Sequence, residues 1–272
     1  MEQPFEITEF VTHLSRLIQY DTSNPPGNEK PAALYLENLL KEEGIATTLF
    51  EPTPGRGNLV ARLRAESSLP EKPLILLSHL DVVAGDAEGW RYPPFSGEVA
   101  EGCVWGRGAL DMKSMVVLEF LTFLRIAREG LPLKRDLVLM ALSDEENHGK
   151  WGAEWMFRYH PEWCEADFVL NEGGQAIQLR ERDLFTCQHA EKGVLWLELS
   201  AEGEGAHGSI PSEDQATLRM LEMLQAVEAF ARKLGIEKIP SSLPDREILT
   251  YLRGAGSFFE RTYSLSPRCS TA

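Results

Sequence analysis

Ionisable residues gather at three points of this sequence, each directly after a short apolar run. His79 and Asp81 follow PLILLS, Asp144, Glu145 and Glu146 follow DLVLMALS, and Glu172 follows DFVL. A further acid, Asp111, sits in GRGALDMKSM, behind two glycines and just ahead of a helical pattern. One histidine with several carboxylates is a hard-to-borderline donor set, suited to zinc, manganese or cobalt rather than to copper or an iron–sulfur cluster. It is ample for two ions sharing one carboxylate, an arrangement that activates water and stabilises an oxyanion. Each cluster alone has a plainer reading: H-x-D as a solvated turn, Asp111 as a helix N-cap, Glu145-Glu146 as an exposed acidic turn. In an extended segment, neighbouring Glu145 and Glu146 would point apart, one toward a metal and the other toward the substrate water. Two carboxylates held close without a cation repel, and one becomes harder to ionise.

The elements that must position these residues are legible. The apolar runs 73–78, 136–143 and 167–170 are short and nearly continuous, as expected for strands buried on both faces of a largely parallel sheet. Helical patterns at 112–128 and 151–159 separate them, and two more cover 5–20 and 32–43, the latter stopped by Gly44. A short strand is expected at 45–50, and GRGNLVARL leads from a loop into another. The fold class is therefore α/β, a mostly parallel central sheet flanked by helices. Ligands of open α/β sheets collect outside the carboxyl ends of the strands. All three such ends here carry acids or a histidine, and three clusters in phase mark a site. From about residue 191 the pattern changes: 193–204 alternates like a half-exposed strand, and 215–234 reads as a long amphipathic helix. The domains expected are 1–190 and an α+β unit at 191–272. In the latter, His207 lies in the glycine-flanked loop GAHGSIP, where it could donate to a developing oxyanion or be a plain surface residue.

A net charge of −15 argues against nucleic acid or an anionic membrane as partner, since phosphate binding needs clustered Lys and Arg. No apolar run approaches the roughly 20 residues that cross a bilayer. MEQPFEITEF has acids and no base, so no secretory leader is expected and the location expected is cytoplasmic. Cys103, Cys164, Cys187 and Cys269 form no C-x-x-C pair and are expected as free thiols. A nucleotide-binding reading fails, because no G-x-G-x-x-G or P-loop follows a strand.

Taken in order, HLDVV, GRGALDMK, SDEE, NEGG, EKG and GAHGSIP resemble the zinc peptidase family that includes aminoacylase, carboxypeptidase G, succinyl-diaminopimelate desuccinylase and yeast carboxypeptidase S. The likeness starts at DTSNPPGNE and runs to at least Pro211. It implies a metal-dependent hydrolase of amide bonds in small peptides or N-acyl amino acids, with two divalent ions, zinc first, cobalt or manganese as alternatives. By motif position, His79 and Glu172 would hold one ion, Glu146 the other, and Asp111 both. Asp81 would orient His79, and Glu145 would be the general base. The peptide Asp111-Met112 would be cis. His207 would polarise the scissile carbonyl, often in a partner subunit, and a homodimer would form through the lid domain. The chain departs from the pattern in two places. It has no histidine after His207, so the second ion lacks its usual last ligand and the lid domain is expected incomplete. A C-terminally truncated, inactive relative or gene fragment is the alternative expectation. His148 also stands where relatives usually have glycine.

Overall fold

The computed structural model describes residues 7–66, 71–86, 88–174, 176–179, 182–188, 198–203, 205 and 215–233. They fall into two compact units, one ending at Gly173 and the other beginning at Gly174.

The first unit opens with helices α1 (Ile7–Ile18) and α2 (Lys30–Glu42), then strands β1 (Thr47–Phe50), β2 (Asn58–Leu63) and β3 (Glu71–His79). A small hairpin of β4 (Glu98–Ala100) and β5 (Cys103–Trp105) precedes α3 (Lys113–Glu129), β6 (Arg135–Leu142), α4 (Ala153–Tyr159), α5 (Pro161–Cys164) and β7 (Phe168–Leu170). The five-stranded sheet runs β1-β2-β6-β3-β7. It is mixed: β6, β3 and β7 are mutually parallel, while β1 and β2 add on antiparallel.

Two apolar layers follow from the period of two along a strand. Leu137, Leu139 and Ala141 of β6, with Leu59, Ala61 and Leu76, meet Leu17, Ile18, Leu36, Leu40, Phe120 and Leu124 from α1, α2 and α3. The alternate residues Val138, Met140 and Leu142, with Val60 and Ile75, meet Met156 and the half-buried Trp155 and Trp163 of α4 and α5. Helices thus cover both faces. The expectation of strands buried on both sides holds for β3 and β6. It fails for β7, whose Phe168, Val169 and Leu170 are exposed, because among the described residues β7 lies at the sheet's edge and pairs with β3 alone.

The parallel register aligns the carboxyl ends. His79 pairs with Leu142, and Leu80 N–H donates to Leu142 O at 2.7 Å. Leu170 pairs with Leu76 on the other side. The three acidic or histidine-bearing segments therefore leave the sheet along one edge.

One buried acid on α3 is poorly compensated. Glu119 is 6% exposed, and neither of its carboxylate oxygens has a hydrogen-bond partner among the described residues. Burial pushes its carboxyl up to about 8, with only a small opposing pull from Ser78. Between its usual 4.5 and about 8 the unfolded chain has released this proton while the folded chain keeps it. Stability therefore falls as pH rises through that window. Glu119→Gln should abolish this slope and gain on the order of a few kcal/mol at pH 8 relative to the parent, read as the variant-minus-parent difference in denaturant unfolding across pH. A constant difference would show that Glu119 keeps its ordinary ionisation.

The second unit contains the hairpin β8 (Ala176–Leu179) and β9 (Arg182–Phe185) and the helix α6 (Ala216–Lys233). The helix was expected at 215–234 and the hairpin was not. Of the strand expected at 193–204, residues 198–203 are described and are not strand. The expected domain boundary near 191 and His207 both lie outside the described residues. Among the described residues no helix is long and apolar enough to cross a membrane. Cys103, Cys164 and Cys187 are free, and Cys269 lies outside the described residues.

Candidate metal centre

The centre is built from the ends of β3, β6 and β7 and the turn before α3. His79, the last residue of β3, is 3% exposed. Its Nδ1 faces Asp81, at 2.9 Å from the backbone oxygen and 3.5 Å from Oδ1. That contact directs Nε2 outward, 3.2 Å from Asp111 Oδ1, 3.6 Å from Glu172 Oε2 and 3.7 Å from Glu145 Oε2. A ligand histidine is commonly fixed this way, its second nitrogen held by a carboxylate or a backbone carbonyl.

Asp81 is fully buried. Its Oδ1 accepts from Glu145 N–H at 3.0 Å, and its Oδ2 accepts from Glu146 N–H at 3.0 Å and Asn24 Nδ2 at 2.8 Å. Burial opposes ionisation, yet His79, Asn24 and the Glu145 amide together hold the carboxyl below its usual range. Asp144 has φ 72°, a left-handed turn that Asp tolerates. A 3-10 turn, Glu145–Asn147, follows. Glu145 and Glu146 are therefore not in the extended backbone that the sequence led us to expect. Both amides point at Asp81, and the turn, rather than strand alternation, separates the two side chains.

Asp111 was open to a reading as helix N-cap. The N-cap position of α3 is instead Met112, with no side-chain cap bond, and the Asp111 side chain is 68% exposed. The Asp111-Met112 peptide is cis, as the resemblance implies. Next to it Lys113 is fully buried, its Nζ donating to Leu17 O at 3.0 Å and Tyr20 O at 2.8 Å. A cation at these carbonyls, at the end of α1, is favoured by the helix dipole. Burial pushes its ammonium down to about 8. His148 has φ 75°, where glycine is the unstrained residue.

Ligand atoms of His79, Glu145 and Glu172 all lie within 4.8 Å of one another, and so do those of His79, Asp111 and Glu146. Two carboxylates about 4 Å apart near a protein surface repel by about 4 kcal/mol. A proton or a bound cation relieves that repulsion. Burial, together with Glu172 and Glu146, pushes the Glu145 carboxyl up, and burial with Asp111 does the same to Glu146. His79 answers in the opposite sense: burial pulls its ring down, but Asp81 and Glu172 outweigh it and raise it to about 11. The His79 ring in turn holds Glu172 below its usual range. A field that binds a proton so firmly on His79 is one that stabilises a divalent cation in its place. The residues present fit such a group.

Every sequence-derived candidate in the first unit converges here: His79, Asp81, Asp111, Glu145, Glu146 and Glu172. Asn24, Arg56 and Lys113 were not anticipated, and Asp144 was named only as part of its acidic cluster, without a role. The turn-rich DTSNPPGNE and GRGN loops read as connectors, and no spacing in them hints at partners on other strands.

An α/β domain with acids and a histidine at the carboxyl edge of its parallel strands is the frame of a metallohydrolase. The chain belongs to peptidase family M20/M25/M40, whose model matches residues 75–248. Among relatives, aminoacylase-1 of Sus scrofa is 31% identical over 227 residues, covering 82% of this chain and 54% of its own. Carboxypeptidase S of Saccharomyces cerevisiae is 32% identical over 174 residues, 60% of this chain and 30% of its own. The chain thus spans about half the length of aminoacylase-1. Among solved structures, an M20 family metallo-carboxypeptidase from Sulfolobus solfataricus superposes with a TM-score of 0.52 at 21% identity, over 61% of this chain and 37% of that one. Human carnosine dipeptidase 1 gives 0.51 at 17% identity, over 60% and 38%. These two show a shared fold.

Proposed function

We propose that the protein hydrolyses amide bonds in small peptides or N-acyl amino acids at a centre of two divalent ions, with zinc the best suited. The observation that carries this reading is the pair of overlapping ligand groups around the buried His79. The relatives named aminoacylase and carboxypeptidase support the substrate class.

His79 and Glu172 would hold one ion, Glu146 the other, and Asp111 both, and such ions would supply Lewis-acid polarisation of a carbonyl and activation of water. Asp81 keeps the proton of His79 on Nδ1, so that Nε2 remains a ligand atom. Glu145 reaches over the centre, takes a proton from the attacking water and delivers it to the leaving nitrogen. A C–O bond forms, the C–N bond breaks, and an amine and a carboxylate leave. His207 would donate to the carbonyl oxygen from the lid domain, placed at 191–272 after a catalytic domain at 1–190, and the lid would also carry the homodimer contact.

The test is zinc content of the purified protein, paired with turnover of a panel of N-acetyl amino acids and dipeptides. Zinc with turnover supports the reading; zinc-loaded protein inert to the whole panel overturns it. Chelation gives a separate check. Stripping the metal should lower Tm, and restoring zinc at roughly 100 times its Kd should return about 2.7 kcal/mol. A melt indifferent to zinc would argue that these carboxylates hold none.

A further inference from the structure

Behind the metal centre lies a buried polar chain that the proposed reaction does not use. Arg56, Glu29, Asn24 and Asp144 are 5%, 0%, 4% and 1% exposed. Arg56 donates through Nη1 to Glu29 Oε1 at 2.6 Å and through Nη2 to Asn24 Oδ1 at 2.8 Å, and it stands 3.3 Å from Asp144 Oδ1. Asn24 Nδ2 donates to both Asp81 Oδ2 at 2.8 Å and Asp144 Oδ1 at 3.0 Å. Both amide hydrogens and the carbonyl of Asn24 are therefore committed.

The direction of this chain follows from its donors. Arg56 has no acceptor, so it must face the Asn24 oxygen, and that turns the Asn24 nitrogen toward the two carboxylates. A neutral amide is the group that can bridge two carboxylates there without placing a further charge among them. Asp144 is clamped at its other oxygen by Trp151 N–H at 2.9 Å. The peptide before Glu145 is thus gripped through Asp144, and the peptides at Glu145 and Glu146 through Asp81. Gly27 leaves room for the guanidinium: a Cβ at this φ of 81° would lie 2.0 Å from Arg56 Nη1.

We propose that Asn24, oriented by Arg56, is a positioning residue for the hydrolytic site, setting through Asp81 and Asp144 the places of His79, Glu145 and Glu146. The proposal rests on the hydrolase reading for its kinetic consequences and on the hydrogen bonds alone for its structural ones.

The zinc-loaded protein of 272 residues is the object of the test. Asn24→Ala should lower kcat on the best substrate roughly 10–100-fold, the usual effect of removing a partner behind the ligands. KM and zinc per folded molecule should stay within about twofold of the parent's, since Asn24 touches neither substrate nor metal. Arg56→Met should do comparable damage, and the double variant should be no slower than the slower single, because both act through one chain of bonds. If Asn24→Ala folds poorly, Asn24→Ser retains one donor and should show an intermediate loss. A folded, zinc-loaded variant with the parent's kcat overturns the proposal, as do fully additive losses. If the parent itself turns over no amide, the hydrolase reading has failed, and the positioning claim is read by hydrogen exchange. The Glu145 and Glu146 amides should then exchange about tenfold faster or more in Asn24→Ala, with the β3–β6 ladder unchanged. Equal exchange at those two amides overturns it.

Discussion

Glu145→Gln should lower turnover by roughly 10²–10⁴-fold, the contribution of a positioned general base, while zinc content and Tm hold. The substitution keeps the shape of the side chain and removes its ability to take a proton. The Glu145 backbone amide would still rest on Asp81, so the turn after β6 should stay in place. The competing outcome is specific. Glu145 lies within 4.8 Å of His79 and Glu172, close enough to be a ligand itself. If zinc disappears together with activity, Glu145 belongs to the ligand set and another group must move the proton. Metal analysis of the purified variant beside kcat distinguishes the two.

Asp111→Asn should cost more metal than any other single change at the centre. Its carboxylate is 3.2 Å from His79 Nε2 and shares a ligand group with Glu146, and in the proposed arrangement it would serve both ions. An amide has one weaker donor oxygen to offer where a carboxylate has two charged ones. Both positions should empty together, whereas His79→Ala should deplete chiefly one. Titration of each apoprotein with zinc, followed by calorimetry, separates these cases. A variant that keeps a full complement of zinc would remove Asp111 from the bridging role.

The candidate ligands were legible in the sequence because their chemistry and their punctuation agree. PLILLS and DLVLMALS read as buried strands and DFVL as a strand, and a charged residue directly after such a run has one edge on which to emerge. The order of motifs then carried the resemblance. The turn at Glu145–Asn147 escaped because strand alternation was extended one step too far, past Asp144, whose left-handed φ ends it. Exposure of β7 escaped because an apolar triplet looks alike at the centre and at the edge of a sheet; only the strand order distinguishes them. Asn24 and Arg56 were invisible for a deeper reason. Asn in a proline-rich loop and Arg beside glycine are ordinary loop residues, and only their burial against distant segments gives them a role. The antiparallel β1 and β2 and the β4–β5 hairpin carry no signal of pairing direction beyond short alternation.

The amide of Asn24 joins residues 57 and 120 positions away along the chain. Closing loops of that length is entropically demanding and slow compared with forming helices or local turns. The β3–β6 ladder must already stand before these bonds have anything to join. Turnover is thus expected to appear late in refolding, after the far-ultraviolet signal of helices and sheet has recovered. Recovery of activity in the zinc-loaded protein would then serve as a reporter of completed chain topology, silent in a species that has its secondary structure but has not yet brought its first loop home.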